Sequence, residues 1–277
     1  MNTFKLVNFW KTDSNIVTNE TNLSICLTAS GFCFALIDKS FRLQCIGEFE
    51  TDLNNSITQT MLNIKSCFTS IGVHIFNFNN TRIVCPTSKD VWVPYKLYDA
   101  SQNKTYLEQT NKLSTKETII ANTSVKLEAE NIFAFPQHIY SGLKVLMPKA
   151  AFMSPAQVLA EYTFDISALK QNTVLIYKRD KAFDIVIFKG DSFLHSNTFT
   201  YATAEDMIYF ILNILQHSAI NTGEVCVVLA GEPYAEKELN LLQKYLSEVV
   251  FANLRENVDI PDSFSDEDLQ KYFMVLA

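Results

Sequence analysis

Leu23–Asp38 reads LSICLTASGFCFALID, and the fold turns on how this stretch pairs with itself. It alternates apolar and small or polar residues, reaches a turn, and alternates again. Setting Leu27 opposite Phe32 places Ile25 opposite Phe34 and Leu23 opposite Leu36, so every large apolar side chain lies on one face of a hairpin. A slip of one residue breaks that face up. The favoured register leaves Thr28-Ala29-Ser30-Gly31 as a four-residue loop, with Gly31 expected to close it in the left-handed conformation. Cys26 then sits opposite Cys33 on the other face, where the pair reads as small half-buried residues and not as a required disulfide.

The hairpin continues into FRLQCIGEFE (41–50), a third strand. Ser56 and Gln59 have capping-box spacing, and Ile57, Met61, Ile64, Phe68 and Ile71 recur at helical intervals, which predicts an amphipathic helix of about four turns. HIFNFNN and RIVCP read as a strand pair, and WVPYKLYD as the entry to a short helix. Residues 101–118 are polar and lack a period, so they are expected to be an exposed connection. Thr118 to Leu127 and Asn131 to Phe135 alternate as strands. Ser154, Pro155 and Gln157 mark a helix start with proline in its first turn.

The pattern then restarts. NTVLIYK (172–178), AFDIVIF (182–188) and SFLHSNTFTY (192–201) read as three strands joined by short polar turns. Thr203 and Asp206 cap a helix whose apolar face carries Met207, Ile208, Ile211, Leu212 and Leu215. EVCVVLAG (224–231) is the continuous apolar run of a buried parallel strand. Leu239, Leu242, Leu246 and Val249 predict one further helix. Hairpin, third strand, helix, buried strand, helix: the order occurs twice, as a repeat of pattern and not of residues. It predicts an α/β protein of two mixed sheets, each opened by a three-strand antiparallel meander and covered by helices.

Composition narrows the function. The 277 residues are 48% hydrophobic and 12% aromatic, ample for a sizeable core. A net charge of -7 and a pI near 5.2 argue against an electrostatic nucleic-acid binder and against docking on an anionic membrane. The longest apolar run, Met207 to Leu215, is too short to span a bilayer, and the N-terminal MNTFKLVNFWK lacks a signal-peptide core. Six cysteines without a CxxC pair favour reduced thiols and a cytoplasmic location.

The duplicated order resembles that of actin-like ATPases. FDIVIFKGDSFLHSNTFTYATAEDMIYFILNILQ, VVLAGE, LLQKYL, the opening hairpin and VPYKLY together resemble an uncharacterised bacterial domain-of-unknown-function family with an actin-like ATPase (ribonuclease H-like) fold. More distantly the arrangement is similar to PilM- and FtsA-type proteins. The resemblance implies a first half over 1–168 with a variable insertion near 95–155. It implies a second half over 169–256, and a tail, 257–277, packing back on the first half.

It also implies where a nucleotide would bind, and there the residues depart from the pattern. The first hairpin of actin-like ATPases typically carries an Asp-x-Gly-Thr-type phosphate loop. Here the Asp position falls on Cys26 or Thr28, neither of which supplies a hard anionic oxygen. The second phosphate turn is Lys178-Arg179-Asp180-Lys181, without glycine. The adenosine loop is Ala230-Gly231-Glu232, where Glu232 brings negative charge to the nucleotide position.

The residues left to line a degenerate cleft are Ser30, Gly31, Asp180, Asp184, Gly231 and Glu232. Lys178, Arg179 and Lys181 form a small basic cluster able to hold an anion, and Asp206 is explained by helix capping. His74, His138, His195 and His217 lack a second ligand at metal spacing, and no cysteine or serine sits in a nucleophile signature. No cofactor is implied. The expectation is a non-catalytic scaffold that binds an unidentified protein partner or itself. The alternatives are an ATP-binding enzyme that uses Asp180 or Asp184 for Mg²⁺, or a sensor of a small ligand in the cleft. The tail DSFSDEDLQKYFMVLA (262–277) predicts one helix, capped by Ser265 and Asp268, with Leu269, Tyr272, Phe273 and Leu276 on one stripe.

Overall fold

A computed structural model describes residues 4–12, 16–53, 56–74, 78–167 and 172–277. Along the first part of the chain run β1 (Phe4–Lys11), β2 (Thr21–Leu27), β3 (Gly31–Asp38), β4 (Leu43–Thr51), α1 (Ile57–Ser70), β5 (Asn80–Val84) and β6 (Asp90–Pro94). Then follow α2 (Asn103–Glu108), β7 (Glu117–Ser124), β8 (Ala129–Pro136), α3 (Gln137–Leu146), β9 (Ala151–Met153) and α4 (Pro155–Ser167). The pattern restarts with β10 (Asn172–Arg179), β11 (Ala182–Lys189), β12 (Ser192–Thr200), α5 (Ala204–His217), β13 (Cys226–Gly231), α6 (Glu236–Tyr245) and β14 (Glu248–Phe251). It ends in α7 (Asp266–Gln270) and α8 (Phe273–Leu276).

These strands form a six-stranded sheet ordered β1-β4-β3-β2-β5-β9, a five-stranded sheet ordered β12-β11-β10-β13-β14, and a small sheet ordered β6-β8-β7. Both large sheets are mixed: an antiparallel meander on one side joins parallel strands on the other, β2-β5-β9 in the first and β10-β13-β14 in the second.

β2 and β3 pair in the register read from the sequence: Leu27 with Phe32, Ile25 with Phe34, Leu23 with Leu36, and Cys26 with Cys33. The large residues of that face are all buried and pack with Phe49 and Phe68. Phe34 and Phe68 stand 4.9 Å apart, ring to ring. The outer core is closed by α1 and α3, which contact each other. Ser56 caps α1 by accepting the Gln59 N–H, as its spacing predicts.

Gly31 is required for a different reason from the one expected. Its φ of +158° is close to extended, and a Cβ there would lie 2.0 Å from the Phe49 carbonyl oxygen. The glycine lets β4 approach the end of the hairpin; it does not supply a left-handed turn.

Between the two large sheets lies a second core. Cys33, Ala35 and Ile46 of the first sheet and Leu175, Val186, Phe188 and Val228 of the second share one cluster with α4 and the C-terminal residues. α4 packs on β10 and β11, while α8 packs on β2, β3 and α4. Each large sheet is thus covered on both faces, which is why their central strands read as long apolar runs.

Four local expectations are corrected. Residues 101–118 are not an exposed connection throughout, because α2 folds there and buries Leu107 completely beneath the small sheet. HIFNFNN and RIVCP are not seen as a pair: β5, from Asn80 to Val84, pairs with β2 and β9, His74, Phe78 and Asn79 are outside any strand, and 75–77 lie outside the described residues. The helix expected to reach Val249 stops at Tyr245, and Val249 belongs to β14, which pairs in parallel with β13. The tail is two short helices broken at Tyr272 (φ -100°, ψ 10°), not one. The break lets Tyr272, Phe273, Met274, Val275 and Leu276 all be buried, more than one stripe of a continuous helix allows.

Among the described residues, no helix is long and apolar enough to cross a membrane.

Candidate functional site

The sequence-predicted site residues distribute over three turns, and the structure does not bring them into one cavity: Ser30 and the Gly231–Glu232 pair line separate ones. In the β2–β3 turn, Ser30 is exposed and its carbonyl accepts the Thr51 N–H at 2.8 Å, while the Thr28 N–H donates to the Gly31 carbonyl at 2.8 Å. Behind this turn the thiols of Cys26 and Cys33 are in contact. The bond to Cys26, then burial, push the Cys33 thiol well above its ordinary range. Cys33 is therefore a neutral thiol at physiological pH, neither an anionic ligand nor a thiolate nucleophile. Burial likewise pushes Cys45 and Cys67 up to about 12.

Strand alternation splits the basic cluster predicted at the β10–β11 turn. Tyr177 belongs to the core between the sheets, its ring 5.7 Å from that of Phe273. Lys178 points the other way, is buried, and donates to Glu238 Oε2 at 2.5 Å and to the Pro233 carbonyl at 2.7 Å. Arg179 is back on the inner face and donates from Nη2 to Asp184 Oδ1 at 2.7 Å, the atom that also accepts the Thr198 hydroxyl. Asp180 and Lys181 remain exposed at the tip. The three cations thus do not converge on one anion.

Asp184 is 7% exposed, and its Oδ2 has no partner among the described residues. Burial raises its pKa from the ordinary aspartate value, with Arg179 and Thr198 acting in the opposite direction. Asp206 does what its spacing predicts: it accepts the Thr203 N–H and donates its own to the Thr203 hydroxyl.

At the third turn, Gly231 has φ +93°, and a Cβ there would lie 2.2 Å from the Lys178 carbonyl oxygen. The next amide, of Glu232, donates to that same carbonyl at 3.0 Å. Tyr234 then donates its hydroxyl to the Ile176 carbonyl at 2.9 Å. The turn is fastened to the end of β10, leaving the Glu232 carboxylate exposed.

A polar seam beside these turns was not read from the sequence. Asp90 on β6 accepts from Asn131 Nδ2 at 3.3 Å, and Asn131 Oδ1 accepts the Ser154 hydroxyl at 2.6 Å. Ser154 Oγ caps α4 by accepting the Gln157 N–H, and the Gln157 side chain accepts from Asn122 at 3.1 Å and donates to Glu161 at 3.0 Å. Burial pushes the Asp90 carboxyl up to about 6, with the Asn131 bond opposing and the nearby Asp184 charge adding. Only the capping role of Ser154 was visible in the spacing. Asn122 and Asn131 sit inside strands, where nothing local distinguishes them from solvent-facing polar residues.

Between the small sheet and β12 this seam borders a cavity of about 880 Å³ lined by Asp90, Trp92, Phe193, His195 and Asn197. Burial lowers the His195 pKa, so its ring stays neutral. Among the described residues, no group of three or more His, Cys, Asp or Glu side chains is placed to hold a metal ion.

The chain is similar to a Bacteroides thetaiotaomicron protein of unknown function with an actin-like ATPase fold. The two are 22% identical, with 92% of this chain and 96% of that chain covered and a TM-score of 0.73. It is also similar to a chain of the PilM–PilN type IV pilus biogenesis complex (13% identity, 92% and 96% covered, TM-score 0.53). A third similar structure is the ethanolamine utilization protein EutJ from Carboxydothermus hydrogenoformans (7% identity, 92% and 89% covered, TM-score 0.51). At these identities the likeness establishes the fold, and the fold is that of the actin-like ATPases. No curated protein matches the sequence at a significant level. A family described as "Protein of unknown function (DUF3822)" matches residues 11–249, and the chain belongs to that family.

Proposed function

We propose that the protein is a non-catalytic actin-like scaffold, a pseudoenzyme whose nucleotide site is degenerate and which binds a protein partner or itself. In this reading 1–168 and 169–256 are the two halves, 257–277 is a tail that fastens them, and the protein works in the cytoplasm. One observation carries the proposal: the two glycines of the degenerate loops serve chain packing. A Cβ at Gly31 would strike the Phe49 carbonyl and one at Gly231 the Lys178 carbonyl, so their freedom brings strands together and not backbone to phosphate. Around them stand a neutral thiol at Cys33 and an Asp184 oxygen already bonded to Arg179 and Thr198. Titration calorimetry of the whole chain with Mg-ATP is expected to give no binding heat. A micromolar, Mg²⁺-dependent dissociation constant would overturn the scaffold reading.

A further inference from the structure

A second cavity, of about 410 Å³, opens between the β13–α6 connection and α7. Its walls are apolar where Tyr234 and Phe251 meet edge to face, ring centroids 6.1 Å apart, and Phe251 is 50% exposed. Its remaining lining includes three carboxylates, Glu232, Asp266 and Glu267, and no lysine or arginine. Asp266 accepts from Arg255 Nε at 3.1 Å, whereas Glu232 and Glu267 have no ion-pair partner among the described residues.

The nearby cations are committed elsewhere. Arg255 also donates to the Ile260 and Phe264 carbonyls at 2.7 Å each, and Lys178 is buried against Glu238. Gln270, only 6% exposed, gives its amide nitrogen to the Ala252 carbonyl at 2.8 Å. Its Oε1 is a buried acceptor without a donor among the described residues. A buried acceptor left unpaired is costly, and Gln270 is one of the residues that line this cavity.

We infer that this cavity receives an arginine side chain presented by a partner protein, an inference that rests on the scaffold reading. A guanidinium is flat, stacks on an aromatic face such as that of Phe251, and carries several in-plane donors for carboxylates and for Gln270 Oε1. A lysine ammonium stacks less well, and a phosphate is repelled by all three carboxylates.

The test is an amide NMR titration of the full chain with N-acetyl-L-arginine amide, against its neutral isostere N-acetyl-L-citrulline amide. The arginine compound is expected to give saturable shifts centred on Phe251 and Gln270, with the citrulline compound at least about tenfold weaker. Glu232→Gln combined with Glu267→Gln, both exposed positions, is expected to weaken arginine binding about tenfold or more at an unchanged urea midpoint. Equal binding of the two compounds, or no localised shifts with arginine, overturns the inference. Mg-ATP in a parallel titration separates the two readings. Shifts with Mg-ATP overturn the scaffold reading itself, whereas silence with both Mg-ATP and arginine overturns only the arginine site.

Discussion

Lys178 Nζ meets Glu238 Oε2 at 2.5 Å, with the two side chains only 10% and 8% exposed. The pair is fully dressed: the ammonium also bonds the Pro233 carbonyl and lies 5.2 Å from the centre of the Tyr234 ring. The carboxylate accepts the Ala235 N–H at 2.7 Å and the Tyr201 hydroxyl at 3.1 Å. Lys178 is thus a structural bolt joining β10 to the start of α6.

Removing one partner leaves a buried charge without compensation. Lys178→Met is therefore expected to cost roughly 3–5 kcal/mol, read as a lowered urea midpoint. Lys178→Met with Glu238→Leu removes both charges and is expected to recover most of that loss. A double variant as unstable as the single one would show that shape, not charge, is what the site demands.

Asp90 makes stability depend on pH in a direction opposite to that of a salt-bridged carboxylate. Burial lifts its folded-state pKa to about 6, above the ordinary aspartate value, so in the window between them the folded protein holds a proton that the unfolded chain has released. The contribution is fully present below the unfolded pKa and is lost as pH rises through about 6. A shift of about two units corresponds to at most about 3 kcal/mol. Asp90→Asn removes the titration, so the variant is expected to gain stability relative to wild type as pH is raised from about 4 to about 7. Urea midpoints measured across that range check this, and parallel pH profiles for the two proteins would contradict it.

Much of the fold was legible because strand periodicity depends on neighbouring residues. The β2–β3 register followed from six apolar side chains, and the Thr203–Asp206 and Ser56–Gln59 caps from spacing alone. The failures are of another kind. Leu107 is a lone apolar anchor in a polar stretch, and its burial depends on a small sheet contributed by residues before and after it. Val249 is compatible with a helix face by spacing; that it lies in a strand is decided by pairing with β13. The site shows the same division. That neither Cys26 nor Thr28 is acidic is plain from the chain, but the separation of Lys178 from Arg179 required knowing which face of β10 each occupies. The Asp90–Asn131–Ser154 seam joins residues of different elements, so no local pattern announces it.

Phe273 is where both large sheets and α4 converge on the C-terminal segment. It is fully buried, its ring 4.9 Å from that of Tyr162 on α4 and 5.7 Å from that of Tyr177 on β10, while α8 itself packs on β2 and β3. Arg82 of β5 donates to the backbone carbonyl of Ala277, holding the end of the chain against the first sheet. Truncating Phe273 to alanine removes an aromatic ring from a core shared by both large sheets, and neighbours anchored in three separate elements have little freedom to collapse into the space. Phe273→Ala is therefore expected to cost roughly 3–5 kcal/mol, whereas Lys271→Ala, an exposed neighbour, should stay within about 0.5 kcal/mol of wild type. Urea unfolding of both variants makes the comparison. A wild-type midpoint for Phe273→Ala would mean that this ring does not hold the two large sheets together in solution and that the C-terminal segment is free to engage a partner.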